Sequence, residues 1–148
     1  MTQEEKDLLL KDLCSRLPYG VKAYVKNWSN LDRKYYEGVY TVESVQPSTS
    51  NILVYSEKGS VEVILGYADY VIKPYLLPLS SMTEEQKKEY NYWKHEVPVC
   101  HYEYGDVVEE IELYESPESF DYLIENKFDC FGLIPLGLAN DATGLNIY

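Results

Sequence analysis

Two histidines and three cysteines are the side chains in this sequence best suited to chemistry, and their spacing argues against it. Cys100 and His101 are neighbours, with His95 before them and Cys130 after. Zinc is held by ligands at spacings such as Cys-x-x-Cys or His-x-x-x-His, and adjacent residues rarely ligate one ion together. No metal site and no other cofactor is expected. Nucleophilic catalysis needs Ser or Cys beside His and an orienting acid. Cys100 and His101 would point to opposite faces of a strand, and there is no Gly-x-Ser-x-Gly elbow. Gly59, Gly66, Gly132 and Gly137 form neither phosphate-binding glycine pattern. Glycoside chemistry would need one pair of carboxylates, but 25 acidic residues offer so many pairs that none stands out. These absences predict a non-enzymatic protein with no catalytic residues.

Charge is more informative. The net charge is −12, and residues 96–148 carry twelve Asp or Glu against a single basic residue, Lys127. A field of that sign repels nucleic acid and anionic membranes and attracts basic surfaces. The candidate binding surface is therefore Glu103, Asp106, Glu109, Glu110, Glu112, Glu115 and Glu118, with Tyr102, Tyr104 and Tyr114 among them. Carboxylates about 6–7 Å apart along one strand face imitate a phosphate track, and tyrosines add anchors that lose their water on binding. The partner expected is a protein with a basic surface, bound by nucleic-acid mimicry, with no membrane. The plainer reading is a solvated face that keeps the protein soluble. A second candidate is a ligand, nucleotide or nucleic-acid surface at Lys22, Tyr24, Lys26, Trp28, Arg33, Lys34, Tyr35 and Tyr36, where bases alternate with aromatics as on a stacking platform.

These residues need a scaffold. At 148 residues the chain fits one domain, 1–148, and no apolar run approaches the roughly 18 residues of a membrane span. The acidic opening MTQEEKDLLLKDL does not read as a secretory leader, so none is expected. The three cysteines are odd in number, so reduced, mostly buried thiols in a cytoplasmic protein are expected. Sixteen tyrosines suit half-buried strands.

The spacing predicts an α+β fold. A helix over 1–17 starts at the capping box Thr2/Glu5, carries Leu9, Leu10, Leu13, Cys14 and Leu17 on one stripe, and stops at Pro18 and Gly20. Residues 20–79 read as a strand-rich core of four or five short strands, forming a small, strongly bent antiparallel sheet or an SH3-like barrel. Residues 83–95 read as a surface helix capped by Thr83 and Gln86, anchored by Met82, Tyr90 and Trp93, and ended by Pro98. In 102–148 an acidic strand over Tyr102–Tyr114 precedes a helix that Ser116 and Pro117 begin. Gly132, Pro135 and Gly137 then break an apolar C-terminal segment into turns and loop.

Two blocks carry a resemblance. Lys73-Pro74-Tyr75-Leu76 with Pro78-Leu79-Ser80-Ser81-Met82-Thr83-Glu84-Glu85 is one. Phe120-Asp121-Tyr122-Leu123, Phe128-Asp129, Gly132-Leu133-Ile134 and Gly137-Leu138-Ala139 form the other. Together with Leu17 to Lys22 they resemble an uncharacterised family of small acidic proteins from gut bacteria, their mobile elements and phages. The match is weakest from Trp28 to Leu65 and after Asn140. The resemblance implies a phage-derived or mobile-element accessory factor; it supplies no activity and no site residues.

Overall fold

The computed structural model describes residues 1–29, 34–67, 70–103 and 106–148, with residues 29, 95–103 and 106–114 described by backbone pairing alone. Thr2 caps α1 (Gln3–Arg16). Its hydroxyl accepts from the Glu5 amide at 3.1 Å, and the Glu5 carboxylate accepts from the Thr2 amide at 2.7 Å. That exchange satisfies two amides that the first turn leaves free. Leu9, Leu10 and Leu13 are buried against the sheet; Leu17 is half-buried in a 3-10 turn, Leu17–Tyr19.

The sheet contains β1 (Lys22–Ser29), β2 (Lys34–Gln46), β3 (Asn51–Ser56), β4 (Gly59–Ile64), β5 (Val71–Leu76) and β8 (Asn140–Asp141). Its order is β4-β3-β2-β1-β5-β8, antiparallel except for the parallel pair β5–β8. In a flat sheet β1 and β4 would lie three strand spacings, about 14 Å, apart. Yet Asn27 Nδ2 on β1 donates to the Glu62 carbonyl on β4 at 2.8 Å. The sheet is therefore strongly curled. Two features of β2 help it bend: a register shift between Val42 and Ser44, and Gly38 at φ 152°, a conformation that a residue with a Cβ adopts only under strain. The curl stops short of closure: among the described residues β1 and β4 share a side-chain bond and no backbone ladder. Of the two expectations the open, bent sheet holds and the SH3-like barrel does not.

Alternation decides the faces. Ala23, Val25, Asn27, Tyr40, Val42, Ile52, Val54, Val61, Val63 and Ile72 are buried beneath α1 and the turns around Leu133, Leu138 and Ala139. Lys22, Tyr24, Lys26 and Trp28 stand on the opposite face of β1. The C-terminal contribution β8 is not legible in the sequence, since Asn140 and Asp141 have no strand pattern.

The second helix is shorter than expected. α2 (Glu84–Tyr92) ends before His95, and residues His95–Glu103 form β6, paired antiparallel with β7 (Asp106–Tyr114) from His95↔Tyr114 to Glu103↔Asp106. Pro98 does not terminate a helix; it lies inside β6 opposite Ile111. Each strand of a two-stranded ribbon is an edge, where a missing N–H is tolerated. The single acidic strand expected over Tyr102–Tyr114 is corrected: Tyr102 and Glu103 end β6, and Asp106–Tyr114 forms β7, the second strand of a hairpin. α3 (Pro117–Glu125) follows, begun by Ser116 as expected.

One buried ion pair joins the two halves. Asp12 and Arg16, one turn apart on α1, have fully buried side chains. Arg16 Nε and Nη2 donate to the Asp12 carboxylate at 2.8–2.9 Å. Arg16 also donates to the carbonyls of Ile124 at 3.2 Å and Phe128 at 2.7 Å. Asp129 in turn accepts from the Leu133 and Ile134 amides, both at 2.8 Å. Arg16 therefore satisfies carbonyls at the end of α3 and in the loop beyond it, fastening that loop to α1. Cys14 and Cys130 are half-buried, not buried as expected, and burial pushes the Cys130 thiol up to about 11. Among the described residues no helix is long and apolar enough to cross a membrane.

Candidate functional site

Helices α2 and α3 lie side by side at the base of the hairpin. Their contact is aromatic: Tyr90 stacks on Tyr122 with ring centres 6.3 Å apart and planes at 26°. Around it runs a chain of charged hydrogen bonds. Tyr90 Oη donates to Glu115, Ser119 Oγ donates to the other Glu115 oxygen at 2.8 Å, and Lys94 Nζ lies 3.3 Å from Glu115 and 4.4 Å from the centre of the Tyr90 ring. Burial works against ionisation of Glu115, but those three donors outweigh it and hold the carboxyl below its ordinary range. Burial and the bond to Glu115 together raise the Tyr90 hydroxyl far above its ordinary value. Ser116 Oγ donates to the Trp93 carbonyl and accepts from the Ser119 amide, so one hydroxyl both caps α3 and tethers the end of α2.

On the outer side of this clasp lies an open groove of about 420 Å³, lined by Glu89, Trp93, Glu118, Asp121, Tyr122, Glu125 and Asn126. Glu118, Asp121, Tyr122 and Glu125 fall at the three- and four-residue spacings that put side chains on one helix face. Like charges at those spacings destabilise a helix by a few tenths of a kcal/mol per pair. Glu125 in addition sits at the negative end of the α3 dipole. Tyr122 Oη donates to Glu89 at 3.3 Å across the groove. The pocket thus combines four carboxylates with the exposed ring of Trp93 and the buried Tyr122, an arrangement that attracts a cation and offers it the Trp93 ring.

The sequence-based acidic surface divides. Glu118 lines the groove, whereas Glu115 is engaged by Tyr90, Ser119 and Lys94. Glu103, Asp106, Glu109, Glu110, Glu112, Tyr102 and Tyr114 lie on β6 and β7, whose side chains are outside the described residues, as is the whole of Tyr104. Glu89, Trp93, Asp121, Tyr122 and Glu125 were not among the expected site residues. The spacing of Glu118, Asp121 and Glu125 marks an acidic face on a helix with a recognisable start, but nothing in the sequence sets Glu89 and Trp93 of α2 beside it.

The basic, aromatic candidate divides too. Lys22, Tyr24, Lys26 and Trp28 share the outer sheet face with Tyr35, which contacts Trp28 at a ring separation of 4.7 Å. Tyr36 turns to the core side, with Lys34 Nζ 4.7 Å from its ring centre, and Arg33 lies outside the described residues. Lys22 borders a hollow of about 480 Å³ with Val39, Tyr40, Thr41, Tyr55, Ser56 and Glu57. A carboxylate in that lining opposes an anionic ligand. Among the described residues no three His, Cys, Asp or Glu side chains are gathered to hold a metal ion. Set against family models, curated proteins and solved structures, the chain matches none.

Proposed function

We propose that the protein is a non-enzymatic interaction module that binds a basic protein partner through its acidic, aromatic C-terminal third. The observation that carries this reading is the α2–α3 groove, in which Glu89, Glu118, Asp121 and Glu125 surround Trp93 and Tyr122. Asp121 and Glu125, four residues apart on one helix face, repel one another, a cost that solubility alone does not require. A Lys or Arg side chain entering the groove relieves that repulsion, and an arginine also stacks on the exposed Trp93 ring. The resemblance to accessory proteins of mobile elements fits a role in which an acidic surface occupies the nucleic-acid site of a basic host protein.

A short arginine-rich peptide serves as the probe. Its affinity is compared between the wild type, a groove variant (Glu118→Gln, Asp121→Asn, Glu125→Gln) and a control losing the same charge elsewhere (Glu4→Gln, Glu57→Gln, Glu84→Gln). Glu4, Glu57 and Glu84 are exposed and line no part of the groove. The expected result is at least tenfold weaker binding for the groove variant, about 1.4 kcal/mol, with little change for the control. Equal loss in both variants returns the carboxylates to a diffuse solvated field and overturns the proposal.

A further inference from the structure

Among the described residues, none packs over the second face of the sheet. Described residues on that side, including Lys22, Tyr24, Lys26, Trp28, Tyr35, Val39, Tyr55 and Tyr75, are all exposed or half-buried. Tyr35, Val39 and Tyr55 remain 56%, 42% and 47% exposed. Tyrosine and tryptophan in such numbers are what protein interfaces enrich.

The charges on this face are sorted. Among the described residues its cations, Lys22, Lys26 and Lys73, stand on β1 and β5, and its anions, Glu37, Glu43 and Glu62, stand on β2 and β4. The dividing line runs along the strands between β1 and β2. A two-fold axis lying in the face on that line would set β1 of one molecule over β2 of another. Because it preserves position along the strands, residues paired across β1 and β2 would meet again between the two copies. The register pairs Lys26 with Glu37, Tyr24 with Val39 and Trp28 with Tyr35. Lys26 of one copy then meets Glu37 of the other, and each Trp28 meets a Tyr35.

We infer that the outer sheet face binds a second copy of this chain, as an isologous dimer with β1 over β2. Such a contact is self-complementary and closed, as two-fold interfaces are. The curl of the sheet turns the flanking strands away, so the contact is small, in the class below about 1,200 Å² that forms transient complexes. This surface is separate from the α2–α3 groove, and the two stand or fall independently.

Sedimentation velocity on the full chain at about 0.15 M salt, where charges act over only about 8 Å, tests the inference. Concentrations run from about 1 μM to about 1 mM. The wild type is expected to shift reversibly from monomer to dimer within that range. A Lys22→Glu, Lys26→Glu variant and a Glu37→Lys, Glu43→Lys variant should each stay monomeric, and an equimolar mixture of the two should dimerise again. Circular dichroism checks that both variants fold, and Tyr35→Ser, which alters no charge and removes the ring that meets Trp28 of the other copy, should weaken the dimer at least tenfold. A wild type that is monomeric throughout, a dimer indifferent to both reversals, or a mixture that stays monomeric would each overturn it.

Discussion

Arg16 shows how much one side chain can decide. A guanidinium has five N–H donors in a fixed fork. Here they reach a carboxylate one turn away on α1 and two carbonyls far along the chain. Removing the charge alone leaves Asp12 buried and uncompensated. Arg16→Met should therefore cost about 3–5 kcal/mol, the range for breaking a buried pair. Replacing both partners (Asp12→Leu with Arg16→Met) should recover part of that loss, because no isolated charge is left behind. Recovery stays incomplete, since the Ile124 and Phe128 carbonyls lose their donor. Denaturant titrations of the three proteins measure both differences. A loss below about 1 kcal/mol for the single variant would mean that water reaches Asp12. This pair was invisible at the sequence level because Asp and Arg are expected outside. Only their place beside the Leu9–Leu13 stripe, on the same α1 face, hinted otherwise.

Between elements, the clasp of α2 and α3 depends on the protonation of Glu115. Its folded carboxyl lies below its ordinary value of 4.5 because Tyr90, Ser119 and Lys94 all donate to it. A group with a depressed folded pKa contributes stability that is present above the unfolded pKa and lost as pH falls through the folded one. Glu115→Gln should therefore have a lower Tm than the wild type near neutral pH, and the gap should narrow as pH falls below about 4.5. A gap that is constant from pH 7 to pH 3 would assign Glu115 a purely steric role. The elements themselves were unevenly legible. Thr2/Glu5, Thr83/Gln86 and Ser116/Pro117 announced three helix starts because capping chemistry is local. The hydrophobic alternation announced β1 to β5 for the same reason. β6 escaped because Pro98 reads as a helix stop, and whether it ends a helix or sits in an edge strand depends on a partner, β7, that local sequence does not identify. β8 escaped because a two-residue parallel pairing has no periodicity to show. The groove was half legible: the charge bias marked the region, but only the placement of α2 against α3 selects Asp121, Tyr122 and Glu125 over Glu115.

For the whole molecule the governing fact is lopsided charge. Residues 1–95 are close to neutral, whereas residues 96–148 hold twelve acids and Lys127 as their one basic residue. Packing those acids into a folded C-terminal third raises their mutual repulsion above its level in an extended chain. Salt shortens the reach of that repulsion from about 30 Å at 0.01 M to about 8 Å at 0.15 M. The Tm should accordingly rise as NaCl is raised over this range and flatten beyond it, with KCl giving the same curve if screening is the cause. Changing Glu109, Glu110 and Glu112 together to Gln should raise the low-salt Tm and make the curve shallower. The three lie on one strand, β7, and their loss removes a quarter of the acids in this region. The contrasting outcome is a Tm that falls as salt is added, which would mean that solvent-accessible attractive pairs such as Lys87–Glu84 and Lys94–Glu115 outweigh the repulsion. In that case the acidic third is already balanced within the fold and has little field left for a basic partner. A rising curve instead means that the fold tolerates a repulsion which a cationic ligand would relieve, and binding of the arginine-rich peptide should then flatten it in the same way that salt does.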